Sequence, residues 1–264
     1  MRLRLLSSAL PAAAVLCSLG CGETDAPTTP HGAGGAGNGG SNGSSGGGTG
    51  GTTSDEEIAL PMVVDFNFFP SGAFGRLIDT GADGIEDDFA DGCDGDDLGE
   101  WDNLVIDQTE TACPERPTEV TSDPLLGLSR CNAFTFTPQG LDSVDQTTWA
   151  GVVFQNTTCN WGADPGSPIE TGATTLSFWA WSDADSTGAE IVFQVGGVGD
   201  TGTPHRDGFS RFLTVDLTTT PTRYAIDLST VNYSMGVISA FGWTAERSTL
   251  DPLTFYVDGM LWGR

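Results

Sequence analysis

The chain has 264 residues, of which 36 are Asp or Glu and only 10 are Lys or Arg, for a formal charge of −26. All the basic residues are arginines, and once Arg2 and Arg4 are set aside the remaining eight leave a charge of −28. So acidic a surface repels phosphate backbones and anionic head groups, which excludes nucleic acid as a partner and favours cations and neutral ligands.

Arg2 and Arg4 precede an apolar run, Leu5 to Leu19, that closes on Ser18-Leu19-Gly20-Cys21. A basic start, a short apolar stretch and small residues make an export signal, too short to cross a bilayer. The ending resembles a bacterial lipoprotein signal, in which a peptidase cuts before a cysteine that carries lipid. That resemblance implies removal of residues 1–20 and lipid on Cys21; the alternative is ordinary secretion with cleavage elsewhere. Residues 21–59 follow, with glycine at twelve of the twenty positions from Gly32 to Gly51. Such a segment buries nothing and cannot offset its ordering entropy, so it is expected to be a disordered tether reaching about 30–35 Å. No later apolar run is long enough to span a membrane, so membrane contact is expected through the lipid alone. The expected setting is the bacterial cell envelope, at the outer membrane or cell surface.

Residues 60–264 suffice for one domain with a well-buried core, expected to be a monomer. Met62 to Phe68 reads as a first strand, stopped by Pro70-Ser71-Gly72. Between Arg76 and Arg116 lie fourteen acids and no base, punctuated by Gly81, Gly84, Gly92, Gly95 and Gly99, which reads as long acidic loops. Alternation with period two then marks strands at 133–137, 149–155, 174–181, 190–195, 212–217, 223–228, 237–243 and 253–262. No amphipathic helical stripe appears. The pattern predicts an all-β antiparallel sandwich. In an exported chain Cys93, Cys113, Cys131 and Cys159 read as two disulfides with three possible pairings. We prefer Cys113–Cys131, which closes a proline-rich loop, leaving Cys93–Cys159.

Catalysis is poorly provided for. Beyond His31 in the tether, His205 is the one histidine, and no Gly-x-Ser-x-Gly elbow exists to carry a nucleophile. A carboxylate-based glycoside hydrolase needs no histidine, but no matching acidic strand motif occurs, and it ranks as a third reading. Aromatic residues carry more. Sugar rings stack their C–H faces on indoles while amides, carboxylates and guanidiniums take the hydroxyls. On the strand 174–181, Leu176, Phe178 and Ala180 share one face, and Ser177, Trp179 and Trp181 the other. Two indoles about 6–7 Å apart would then line the outer face if nothing covers it. Trp149 and Trp161, the latter in a Gly/Pro-rich loop, are further stacking candidates. Gln155, Gln194, Arg206 and Asp207 are the polar candidates. In the acidic tract Asp91, Asp94 and Asp96 offer hard oxygen ligands for Ca²⁺, although the spacing is not that of an EF-hand.

The runs Leu176-Ser177-Phe178-Trp179-Ala180-Trp181, Gly188 to Gly197, Leu217 to Leu228 and Phe255-Tyr256-Val257-Asp258-Gly259-Met260 resemble strands of galactose-binding-like jelly rolls, among them many bacterial carbohydrate-binding modules. The resemblance covers residues 62–264. It implies a jelly-roll sandwich that binds glycan without catalysis, and a structural calcium between first and last strands with Asp65 and Asp258 as matching ligands. The alternative is a structural or adhesive envelope lipoprotein whose tryptophans are all core.

Overall fold

A computed structural model of the chain describes residues 57–78, 86–89, 104–109, 111–138, 148–199 and 202–264. The signal, Cys21, most of the tether, Cys93, Asp91, Asp94 and Asp96 lie outside the described residues.

Twelve strands are described: β1 (Met62–Val63), β2 (Phe69–Ile78), β3 (Glu86–Phe89), β4 (Leu104–Asp107), β5 (Asn132–Phe136), β6 (Thr148–Gln155), β7 (Thr175–Ser182), β8 (Glu190–Gly196), β9 (Ser210–Asp216), β10 (Thr222–Asp227), β11 (Ser239–Arg247) and β12 (Leu253–Gly263). All pair antiparallel, in two sheets. The first runs β10-β7-β12-β5-β4, with β1 also on β12; the second runs β3-β2-β6-β11-β8-β9. The protein is therefore the antiparallel β-sandwich that alternation predicts.

Alternation also fixes the core. Leu176, Phe178 and Ala180 of β7 point inward, as do Val152 and Phe154 of β6 and Phe241 and Trp243 of β11. Phe134 of β5 sits at the meeting of the sheets, its ring 5.1 Å from Trp243, 5.2 Å from Phe255 and 6.4 Å from Phe154, centroid to centroid. Rings of this size in edge and tilted contact bury much apolar area per residue. Trp262 is also internal and donates its indole N–H to the Ala240 carbonyl at 3.0 Å. Two of the seven tryptophans thus serve the core outright.

The predicted first strand is cut short. After β1 the chain makes a 3-10 turn, Val64–Phe66, with the amides of Asn67 and Phe68 donating to the Val64 carbonyl. The turn lets one segment leave the first sheet and enter the second. Pro70 does not end a strand but lies within β2, at a register shift between Pro70 and Gly72 where the ladder does not need its missing N–H. The acidic stretch is not all loop, since β3 and β4 lie within it. A short helix, α1 (Thr118–Ser122), was not foreseen; five residues starting after Pro117 are too few for periodicity to register.

Cys113 and Cys131 form the preferred disulfide, at a sequence separation of 18. Cys159 is disulfide-bonded as well. Its pairing with Cys93 remains an expectation, because Cys93 lies outside the described residues.

Candidate functional site

Each sheet has an outer face, and the two faces are finished differently. On the first sheet Trp179, Trp181 and Tyr256 point outward, with Tyr256 opposite Trp181 and Asp258 opposite Trp179 in the register of β12 and β7. The 111–131 segment lies over them. Trp181 is only 1% exposed and stacks on Tyr256 at 5.4 Å, in a cluster with Ala133 and the Cys113 and Cys131 pair. Trp179 packs, half-buried, against the same cluster. At Gly259 the backbone takes φ +59°, and a Cβ there would lie 3.1 Å from Val120 of α1 and 3.5 Å from Trp179. The two indoles expected to offer a paired platform are therefore not equivalent: Trp181 is withdrawn under the cover, and Trp179 keeps part of its surface. The reason is that alternation assigns a face but says nothing of what covers it.

An ion pair fastens that cover. Asp258 is fully buried and accepts from Arg116 Nε at 2.7 Å and Nη2 at 2.9 Å, from the Ser129 hydroxyl at 3.1 Å and from the Gly259 amide at 2.8 Å. Arg116 also donates to the Ser129 carbonyl at 3.1 Å. Asp65 lies nearby, accepting from Asn132 Nδ2 at 3.3 Å, and burial pushes its carboxyl up to about 7, with Asp258 adding to the effect. These are the two acids to which a structural calcium was assigned. The positive charge a cation would bring is already supplied by Arg116, and both Asp258 oxygens are engaged by protein donors. Among the described residues no group of three His, Cys, Asp or Glu side chains is placed to hold a metal. Asp258 thus has a guanidinium counter-ion, whereas Asp65 keeps one buried oxygen, Oδ2, without a hydrogen-bond partner, and calcium at this pair remains an expectation.

The outer face of the second sheet is built otherwise. Val153 of β6, Val198 after β8 and Ile238 before β11 form a small apolar cluster, and Trp149 and Trp161 both pack against it, half-buried. Gly151, between Trp149 and Val153 on the same strand face, carries no side chain that would hold the indole away. Trp161 is set by its loop. Asn160, buried just before it, accepts from the amides of Gly162 at 3.1 Å and Asp164 at 3.0 Å, and donates to the Asp164 carbonyl at 3.0 Å. Gly162 takes φ +101°, and a Cβ there would lie 2.5 Å from the His205 carbonyl, so only glycine fits where the two loops meet. The His205 amide donates to the Gly162 carbonyl at 3.0 Å, closing the contact.

The polar candidates divide. Gln155 is fully buried, donating to the Asn160 carbonyl at 2.9 Å and accepting from the Ser71 hydroxyl at 3.2 Å. Asp207 is buried too, and its carboxylate turns to backbone amides rather than to Arg206. It accepts from the amides of Ile238 at 2.7 Å, Val198 at 3.1 Å and Ser239 at 3.2 Å, tying the loops before β9 and β11 together. Gln194 is likewise buried. These three support the loops or fill the sheet face instead of facing a ligand. Arg206 is exposed, one residue from the His205 contact with the Trp161 loop. The arrangement is two indole faces on a rigid apolar base, with exposed loop groups nearby. Asn160 and Ile238 were missed as contributors. Asn160 was legible, since an asparagine two residues before a glycine is a turn signal; Ile238 was not, because its role appears only through tertiary contact.

Two outcomes follow. Arg116→Ala leaves a buried carboxylate beside Asp65 without its partner, and denaturant unfolding should record a loss of about 3–5 kcal/mol; a loss under 1 kcal/mol contradicts the ion pair's role. For Asp207, burial pushes the carboxyl up to about 6, against the three amide bonds that favour its charged form. Native chain then holds the proton more tightly than unfolded chain does, so this group stabilises the fold below its ordinary value of 3.8, and the contribution is lost as pH rises through about 6. Asp207→Asn lacks that titration. The stability gap between the protein and this variant should be widest below pH 4 and narrow by about 2 kcal/mol between pH 4 and pH 7. Urea melts across that range check it, and a gap that is flat or widens with pH contradicts it.

No family model matches the chain, and no curated protein matches it. Solved structures do. One, described under the promiscuous specificity of carbohydrate-binding modules from the β-sandwich superfamily, shares 14% identity over 79% of this chain and 63% of that one, with a TM-score of 0.40. This chain thus spans a little under two thirds of that structure's length. A family 30 carbohydrate-binding module shares 12% identity over 75% and 87%, with a TM-score of 0.34. The family 11 carbohydrate-binding module of the cellulosomal cellulase Lic26A-Cel5E of Clostridium thermocellum shares 16% over 52% and 75%, with a TM-score of 0.29.

Proposed function

We propose that this protein is a non-catalytic, glycan-binding lipoprotein of a bacterial cell envelope, anchored through lipid on Cys21 and carried outward by the 21–59 tether. The observation that supports it is the pair of half-buried indoles, Trp149 and Trp161, on one apolar cluster at the outer face of the second sheet. Half-burial suits this purpose. Packing on the cluster fixes each ring, so that stacking an indole on the C–H face of a sugar carries little ordering cost at binding. The loop bonds of Asn160 and the tie made by Asp207 hold the base in place before a ligand arrives. A chain at −26 favours a neutral glycan on this face.

A second reading, an adhesive or structural envelope lipoprotein, draws support from the burial of Trp181, Gln155, Gln194 and Asp207, which removes half of the expected polar and aromatic set from the surface. Neutral polysaccharide pull-down separates the two. Under the leading reading the protein is retained by at least one neutral glycan, and Trp161→Ala weakens retention about tenfold or more while the melting temperature stays within a few degrees. Retention by none, or an Ala variant that binds as well as the parent, leaves the second reading standing.

A further inference from the structure

One pocket of this acidic chain has no acid among the described residues that line it. A cavity of about 500 Å³ opens beside the Cys113–Cys131 bridge, lined among others by Gln108, Thr109, Arg116, Leu128, Ser129 and Arg130. With 36 acids against 10 basic residues in the sequence, a lining that holds two guanidiniums and, among the described residues, no carboxylate runs against the overall charge. The second described pocket shows the usual condition: Asp185, Glu246 and Asp251 line it with Arg247.

The two arginines are not equivalent. Arg116 is spent on Asp258 and the Ser129 carbonyl. Arg130 is exposed, and its guanidinium makes no hydrogen bond or ion pair within hydrogen-bonding distance among the described residues; its one recorded partner is the long-range field of Asp65. Other arginines of the domain have found local acceptors: Arg264 on Glu170, Arg211 on Thr230 and the Ser210 carbonyl, Arg223 on Ser177. The remaining lining is that of a hydroxylated ligand. Gln108 gives its amide N–H to Asn132 and keeps its carbonyl oxygen for a donor. Thr109 contributes a hydroxyl, and Leu128, 74% exposed, contributes an apolar surface at the rim. The wall is also rigid. Cys131 is held by the disulfide, and Ser129 is bonded to Leu126 and to Asp258.

We propose that this pocket binds a carboxylate-bearing saccharide of the uronic acid class, with the Arg130 guanidinium as its carboxylate fork. A planar guanidinium takes a carboxylate through two parallel hydrogen bonds. The Gln108 carbonyl and Thr109 hydroxyl meet ring hydroxyls, and Leu128 lies against the ring's C–H surface. A single carboxylate on an otherwise neutral body suits a chain at −26 better than a dianion, whose second charge the surrounding field repels. The site lies on the first-sheet side of the sandwich, and the proposal does not rest on sugar stacking at Trp149 and Trp161.

Calorimetric titration of the full chain with monomeric galacturonate, its neutral counterpart galactose and inorganic phosphate tests the assignment. The uronate should bind, the neutral sugar should bind this pocket at least tenfold more weakly, and Arg130→Ala should lower uronate affinity about tenfold to hundredfold. Arg130→Lys restores it only in part, since an ammonium cannot reproduce the fork. Because Arg130 is exposed, the Ala variant should melt within about two degrees of the parent. Trp161→Ala leaves uronate binding unchanged, which keeps this outcome separate from that of the neutral-glycan reading. The proposal is overturned if the uronate does not bind, if Arg130→Ala binds it as well as the parent does, or if phosphate binds as tightly and displaces it.

Discussion

The ion pair between Arg116 and Asp258 joins positions 142 residues apart and decides how one side of the molecule is finished. A carboxylate removed from water is expensive unless paired and fully hydrogen-bonded. Asp258 meets that requirement only because the 111–131 segment brings Arg116 and Ser129 to it. The disulfide between Cys113 and Cys131 narrows the unfolded ensemble of the same segment, a contribution of about 3 kcal/mol for a loop of this size. Together they set the segment over Trp179, Trp181 and Tyr256, whose outward rings would otherwise form an exposed apolar strip.

Closing that side has a functional corollary. The aromatic surface on which the proposed recognition rests is on the other sheet, where Trp149 and Trp161 pack on Val153, Val198 and Ile238. The polar residues beneath are given over to rigidity. Asp207 spends its carboxylate on three amides, Gln155 bridges Ser71 and Asn160, and Asn160 shapes the loop that carries Trp161. Groups that look like ligands for sugar hydroxyls in the sequence act here as the internal bracing of three loops. The reading of glycan binding therefore leans on indole faces held in place, with Arg206 the exposed member of the expected polar set.

How far the sequence could be read depended on the range of the interaction. Period-two alternation is local, and the strands from Asn132 onward were legible from it, including the inward set Leu176, Phe178 and Ala180. Pro70 misled because a proline tolerated at a bulge has the same letter as a proline that stops a strand. The strands β3 and β4 were hidden by acid and glycine content. At the site, Trp161 and Trp149 were legible as residue types, but their convergence was not. The burial of Trp181 was invisible because the residues covering it lie some 50 to 70 positions earlier. Arg116 could not be matched with Asp258 for the same reason.

The central claim is that the two outer faces are finished differently: Trp181 is sealed under the 111–131 segment, while Trp149 and Trp161 stand half-buried on the other sheet. Hydroxyl-radical footprinting read residue by residue tests it directly. The account predicts that Trp149 and Trp161 are labelled, that Trp181, Trp243 and Trp262 are protected, and that a bound neutral glycan reduces labelling at Trp149 and Trp161 alone. Labelling of Trp181 as strong as that of Trp161, or glycan protection falling on Trp179 and Trp181, would contradict it.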